Sequence, residues 1–362
     1  MLRRQHAIYL TFMNYTILNL QLLPPGYAVA RKDLWLSFLI SSFIAVALSW
    51  VIWRLERKFP GQTWLQTVAQ RIHPVIRSIA LLALSTYTLS LCVITTTQLT
   101  EFINIGFLQE TPFWVIAALF AVSIVHAVRK GLMGIANVAA LLTFSTAVTG
   151  TIMSIAITGN RHVFNILPIA EYGITPILRG ILYCLPIWVE LFFIPVLPRK
   201  DIGAKSWLMT YWAVVAINTV VIVGHIMSPV TTFGMEQSLN LNFPMLSSVK
   251  TISLGYIDRF DVYGLALMIF GCYTRTALYL VVTLMQLQSA LRFQMSSQSW
   301  PVVVTAGGII FSASLMLFRN TTTLDALVNQ WLVYGSLGVL ALFACLYLYL
   351  GVFAPRPQTS SM

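Results

Sequence analysis

Charge is scarce in this sequence. Asp, Glu, Lys and Arg make up 9% of its 362 residues, where soluble domains carry roughly 25%. Cysteine is scarcer. Cys92, Cys184, Cys272 and Cys345 lie far apart, each inside an apolar run, so they offer neither a disulfide framework nor metal-ligand spacing and are expected to be buried, inert thiols. There is no P-loop, no dinucleotide fingerprint, no HExxH helix and no GxSxG elbow, and neither a metal nor a cofactor is expected. Long polar stretches are also missing. The largest, 54 to 75, 159 to 176 and 230 to 255, are too short to hold a soluble catalytic domain. The net charge of +11 does not imply a nucleic-acid partner, because no cluster of Lys and Arg is long enough to form a basic stripe.

What is abundant is apolar: 58% of the residues are hydrophobic and the mean hydropathy is +0.80. Stretches of about 20 apolar residues, each long enough to cross a hydrocarbon core about 30 Å thick, recur along the chain. Ten spans are expected, near 6 to 29, 34 to 53, 76 to 100, 112 to 128, 133 to 158, 177 to 198, 206 to 229, 256 to 288, 300 to 318 and 330 to 354. The first run contains Pro24 and Pro25 and lacks a small-residue cleavage pattern, so it reads as a span rather than a signal peptide. Counted from a cytoplasmic N-terminus, the inner segments, with Arg54, Arg57, Lys58, Arg71, Arg77, Arg199 and Lys200 among others, hold twice the Lys and Arg of the outer ones. The positive-inside rule then puts both termini in the cytoplasm.

Two spans are irregular. The first mixes Asn14, Tyr15, Thr16, Asn19 and Gln21 with Pro24-Pro25-Gly26, and the sixth runs from Tyr183 through Leu185, Pro186 and Trp188 to Glu190, followed by Pro195 and Pro198. Proline removes a backbone donor and clashes with the preceding turn. Broken helices at the first and sixth positions of ten are the pattern of transporters built from two inverted five-helix repeats, which bind substrate between the breaks. The simpler reading is that these prolines only kink ordinary spans.

Charge inside a span is costly and is normally paired, hydrated or functional. Arg275 and Glu190 lie at matching depths of the eighth and sixth spans. They form an ion pair, or Glu190 acts as a proton carrier, or each faces water in a central cavity. The third span carries Ser85, Thr86, Tyr87, Thr88, Ser90, Thr95, Thr96 and Thr97, which serve helix packing or line a polar cavity. Asp258 to Asp261 reads as the acidic start of the eighth helix.

Asn242-Phe243-Pro244 leading to Gly255-Tyr256-Ile257-Asp258-Arg259-Phe260-Asp261, with Arg275 and then Leu278-Tyr279, resembles the eighth-helix region of the GerB-type spore germination proteins. Leu23-Pro24, Asp33-Leu34-Trp35, Phe59-Pro60-Gly61, Ile166-Leu167-Pro168 and the Pro186 to Glu190 stretch are similar to other landmarks of that family. The resemblance covers essentially the whole chain. It implies an all-α integral membrane protein of the amino acid, polyamine and organocation transporter superfamily, a single polytopic domain with one repeat near 6 to 158 and a second near 177 to 354. It also implies the B subunit of a nutrient germinant receptor in the spore inner membrane, working with an A subunit and a C-subunit lipoprotein.

A small nutrient, an amino acid first of all, is expected between the two breaks. Thr16, Asn19 and Gln21 would contact it on one side, Leu185, Pro186 and Trp188 on the other, with Tyr87 and Tyr273 or Thr276 completing the wall. Where relatives often carry glycines in the first break, this chain has Ile17 and Asn19, so close backbone approach to a ligand carboxylate is less secure. In sodium-coupled members of the scaffold a cation sits between helices one and eight. A fixed Arg275 there implies sodium independence. The alternatives are a proton-coupled amino acid symporter and a structural subunit with an empty site.

Overall fold

Apolar runs become helices because a backbone in hydrocarbon must satisfy its own N–H and C=O groups. The computed structural model describes residues 1–251, 260–292, 299–318 and 330–352. In order, its α-helices are α1 (Arg4–Tyr15), α2 (Leu18–Gln21), α3 (Leu23–Ala30), α4 (Leu34–Lys58), α5 (Trp64–Arg71), α6 (Pro74–Gly106), α7 (Phe113–Arg129), α8 (Gly131–Ala156), α9 (Ile174–Cys184), α10 (Lys205–Phe233), α11 (Met235–Leu239), α12 (Pro244–Lys250), α13 (Asp261–Leu291), α14 (Trp300–Phe318) and α15 (Ser336–Val352). A 3-10 stretch, Leu185–Val196, continues α9, and a π turn, Trp331–Gly335, precedes α15. Among the described residues the one β feature is an isolated bridge between Leu2 and Arg199. Among the described residues eight helical segments are long and apolar enough to cross a membrane, and Phe113–Arg129 is a shorter apolar helix. This is an all-α, multi-pass integral membrane protein. The motif Gly255 to Arg259 lies outside the described residues, but Asp261 does open α13 and its carboxylate accepts from the Val262 N–H at 3.1 Å.

The two longest helices, α6 and α13, pack along each other at the centre; α1 lies against α8, α10 and α13, and α14 against α6 and α7. Their interface is where the hydroxyl-rich face of α6 went. Thr88 bonds the Leu84 carbonyl at 3.1 Å and the Thr283 hydroxyl at 2.7 Å, while Thr96 and Thr100 bond carbonyls one turn back. Hydroxyls that close on their own helix cost little in an apolar medium, so this face serves packing, and Tyr87 alone of the residues singled out on it reaches the central cavity. On the outside, Leu119, Val122, Leu141 and Phe144 are about 70% exposed, as side chains facing lipid are.

The first span breaks before its prolines. The α geometry stops at Tyr15 and resumes at Leu18, and Pro24 and Pro25 fall in the first turn of α3, where a missing N–H has no partner to lose. The helix is interrupted a second time at Leu22, just ahead of Pro24, so the expected irregularity at Pro-Pro-Gly is present and a further one lies at Thr16 and Ile17. Gly271 gives the end of α1 its close seat. A Cβ there would lie 1.7 Å from Thr16 Oγ1 and 3.1 Å from the Met13 carbonyl oxygen, so only glycine lets the end of α1 sit on α13. Three of the cysteines are buried as expected, whereas Cys345 faces outward on α15.

Candidate functional site

The break in α1 frees backbone. Carbonyls in the last turn of a helix lack intrahelical donors, and α13 brings Arg275 to one of them: Arg275 Nη1 donates to the Asn14 carbonyl at 3.2 Å and to Asn14 Oδ1 at 3.3 Å. The same guanidinium meets Glu190 as a two-pronged fork, Nη1 to Oε2 at 3.0 Å and Nη2 to Oε1 at 2.7 Å, with 1% and 6% of the two side chains exposed. Planar bidentate pairing is the strong form of this interaction. Asn14 Nδ2 donates to Glu190 Oε2 and, at 3.3 Å, to Tyr279 Oη. Gln21 Oε1 accepts weakly from Arg275 at 3.5 Å. The guanidinium carbon lies 5.1 Å from the Tyr279 ring centroid, adding a cation–π contact. One cation thus joins α13, the broken first span and the sixth segment.

The sixth segment is wound as a 3-10 helix for 12 residues, where more than about four is uncommon. With three residues per turn, side chains at i and i+3 eclipse. Ile187 and Glu190 therefore share the face that looks into the site, and Phe193 continues it, 6.3 Å from the Tyr87 ring and 5.5 Å from that of Tyr279. Trp188 falls on the other face. Fully buried, it donates to Ser41 Oγ at 3.0 Å and packs on Phe38 of α4.

Between these elements lies a cavity of about 40 Å³ lined by Leu18, Gln21, Leu22, Tyr87, Tyr183, Pro186, Ile187, Glu190 and Arg275, with Leu332, Val333 and Ser336 closing one side. A polar site needs roughly 10–15 Å³ to hold one water, so this space takes a few waters and not an amino acid: the site is closed. Tyr87 Oη is 2.6 Å from Ser336 Oγ, and Gln21 is held by Gln98 Oε1 at 2.9 Å and by Tyr183, whose hydroxyl donates to its carbonyl at 3.2 Å.

Of the residues read from the sequence, Gln21, Tyr87, Pro186, Glu190 and Arg275 meet at this cavity. Thr16, Leu185, Trp188, Tyr273 and Thr276 are not among its lining residues, and the side chain of Asn19 lies outside the described residues. Thr16 Oγ1 bonds the Met13 carbonyl at 2.5 Å. Thr276, one residue round α13 from Arg275, is fully buried, and its carbonyl accepts from Cys92 Sγ of α6 at 3.6 Å. Asn14, Tyr183, Tyr279 and Ser336 belong to the site and were not singled out for it. Asn14 carried a signal, an amide deep in an apolar run.

The fold and the site define a permease-like membrane protein in which two irregular segments meet at a closed, charge-neutral centre. The chain belongs to the spore germination protein family, whose family model matches residues 8–323. It is similar to spore germination protein KB of Bacillus subtilis (strain 168), 22% identical over 272 residues, 72% of this chain and 71% of that one. It is also similar to spore germination protein XB of Bacillus anthracis, 24% identical over 253 residues, 68% and 69% of the two chains. A third relative, YndE of Bacillus subtilis, is 23% identical over 149 residues, 41% of each chain.

Proposed function

We propose that this protein is the B subunit of a spore germinant receptor, that it binds a small zwitterionic nutrient of the amino acid class at the Glu190–Arg275 centre, and that it passes the resulting change of packing to A and C subunits. In this reading ten segments cross the spore inner membrane as two inverted repeats, near 6 to 158 and 177 to 354, with both termini cytoplasmic.

The observation that carries the ligand class is the bidentate pair itself. A guanidinium fork that holds a glutamate carboxylate presents the geometry that a ligand α-carboxylate needs. A zwitterion can open the pair and leave no charge unmatched: its carboxylate takes the place of Glu190 on Arg275, and its ammonium takes the place of Arg275 on Glu190. A singly charged ligand would strand one buried partner. Thr16, Asn19, Leu185, Trp188, Tyr273 and Thr276 would join Gln21, Tyr87 and Pro186 at the ligand only once the closed site opens. Because the cavity is too small for such a ligand, binding must draw the segments apart, and that displacement is the signal. Arg275 as a built-in cation makes the response independent of sodium.

The test is a germination screen with single nutrients, wild type against a deletion strain, followed by equilibrium binding of the active nutrient to purified protein. Binding should occur without sodium and weaken at least tenfold in Arg275→Lys, which keeps the charge and loses the fork. If no nutrient response depends on the gene, the sensing role fails. Proton-driven uptake of the nutrient into reconstituted vesicles would establish the symporter instead.

A further inference from the structure

A second cavity, about 390 Å³, lies away from the central site, between the first half of α6 and the last half of α15. Its walls are Ile72, Ile76, Ile79, Ala80 and Ala83 on one side and Leu342, Cys345, Leu346 and Tyr349 on the other. Ile76, Ile79, Ala83, Cys345 and Tyr349 are exposed, so the cavity is a groove open to the membrane. Along α6 its wall from Ile76 to Ala83 runs about 10 Å at 1.5 Å per residue, and Ile72 extends it past the start of the helix, so the groove lies within one leaflet of a hydrocarbon core about 30 Å thick.

The charge at one end of the groove decides what fills it. Arg71 directly precedes Ile72, and its Nε is buried without a partner among the described residues. Its guanidinium carbon lies 6.0 Å from the Phe59 ring, and Lys58 Nζ, bonded to the Leu350 and Gly351 carbonyls at the end of α15, lies 5.6 Å from the same ring. Arg77 follows one turn into α6; it is buried, its Nη1 donates to the Ala69 carbonyl at 3.1 Å and its Nε has no partner among the described residues. From Val51 to Ala80 and along α15 the sequence has a single carboxylate, Glu56. That carboxylate is committed to Arg199 and to the Tyr211 hydroxyl.

We infer that this groove is a binding site for one anionic phospholipid, an acyl chain lying between α6 and α15 and the phosphate meeting the basic cluster headed by Arg71. Basic pockets at the ends of membrane helices suit anionic headgroups, and an apolar slot beside one adds a place for the chain. The site is independent of the nutrient reading, because none of its wall residues lines the central cavity.

Cys345 makes the idea measurable. It is the exposed cysteine of the four, the other three being buried. Full-length protein, delipidated in detergent and then given phosphatidylglycerol or phosphatidylcholine, is examined by native mass spectrometry and by the rate of Cys345 alkylation with N-phenylmaleimide. Wild type should hold one phosphatidylglycerol at least tenfold more strongly than phosphatidylcholine, and that lipid should slow alkylation severalfold. Ala83→Phe, which fills the groove, should abolish both effects while leaving the thermal transition in place. Arg71→Gln should bring the two lipids to parity. Should Ala83→Phe fail to fold, Leu342→Phe, filling the groove from the facing wall, carries the same expectation for lipid retention. Equal retention of the two lipids by wild type would overturn the proposal, as would retention unaffected by filling the groove. Protection of Cys345 by a partner subunit's helix rather than by lipid would overturn it as well.

Discussion

Glu190→Gln should be among the most damaging single substitutions in this protein. The change is nearly isosteric, so packing is preserved and electrostatics is tested alone. Arg275 is 1% exposed and cannot give up its charge, so in this variant it keeps the Asn14 carbonyl, Asn14 Oδ1 and Gln21 Oε1, at 3.2, 3.3 and 3.5 Å, and gains at most one neutral amide oxygen where two carboxylate oxygens stood, with an NH2 group turned toward it in place of the other. Neutral acceptors do not replace a bidentate carboxylate, because none of them offsets the buried positive charge. Removing one partner of a buried pair costs about 3–5 kcal/mol. Arg275→Met should cost less, because an isolated carboxyl can take a proton and become neutral whereas a guanidinium cannot. The double variant, Glu190→Gln with Arg275→Met, removes both charges and should recover most of the loss, since an apolar replacement of a buried pair is often close to neutral. The assay is reversible unfolding of the purified protein in mixed micelles, read as a double-mutant cycle. Single losses below about 1 kcal/mol, or losses that add in the double variant, would refute the claim that this pair holds the three segments together.

Three further outcomes follow from the same geometry. Gly271→Ala should push α1 off α13 at a cost of about 1–3 kcal/mol in the same unfolding assay, and Thr16→Ala in that background should relieve part of it, because Thr16 Oγ1 is the nearest clashing atom. Tyr87→Phe removes a 2.6 Å hydrogen bond to Ser336 at the cavity wall; it should cost about 0.5–1.5 kcal/mol and change nutrient affinity, and an unchanged affinity would remove Tyr87 from the ligand wall. Trp188→Phe loses the bond to Ser41. It should lower stability by a similar amount, read as the unfolding midpoint, and should change affinity less than Tyr87→Phe does, since the indole faces α4 in the closed state.

The charges were legible because they stand alone: Glu190 and Arg275 are ionic side chains deep in apolar runs, and their matching depths already suggested partnership. The helices were legible for the same reason, with α4, α8 and α14 falling close to the runs that predict them. What a single sequence hid was winding and distance. Trp188 reads as a ligand contact if the sixth segment is taken as an ordinary helix beside Leu185. The tighter 3-10 winding turns it toward α4 and brings Ile187 and Glu190 inward. Ser336 stands 249 residues from Tyr87, and no local pattern pairs a lone serine with a tyrosine so far away. The close seat of α1 on α13 was hidden because the residue that permits it, Gly271, lies on another helix.

The two ends of the molecule are not held equally, and this gives the closed site a direction of opening. At the end where α4 finishes, Glu56 and Arg199 pair with 7% and 0% of their side chains exposed, Tyr211 bonds both at 2.9 and 3.1 Å, and Arg199 lies 4.2 Å from the Trp207 ring. Leu2, fully buried, bonds across the same loop through its N–H to the Pro198 carbonyl at 3.0 Å and through its carbonyl to Lys200 N–H at 3.3 Å. At the end where α4 begins, Arg31 and Glu236 pair at 3.3 Å with 39% and 80% exposure, and Lys32, itself 7% exposed, pairs with Glu171, which is 44% exposed, so each pair at this end has at least one partner in contact with solvent. Exposed pairs contribute about 0–1 kcal/mol, whereas breaking a buried one costs about 3–5 kcal/mol. The end that carries Arg31 should therefore open first, the outer face in the proposed orientation, and admit the nutrient from there. Cysteines placed at Leu22 and at Ile187, cavity residues from the two breaks, would report this: a membrane-impermeant thiol reagent should reach them from the Arg31 side alone, and Glu56→Gln should add access from the other. Labelling from the Arg199 side in the otherwise native protein would reverse the direction and with it the inference that burial of the ion pairs sets which way this protein opens.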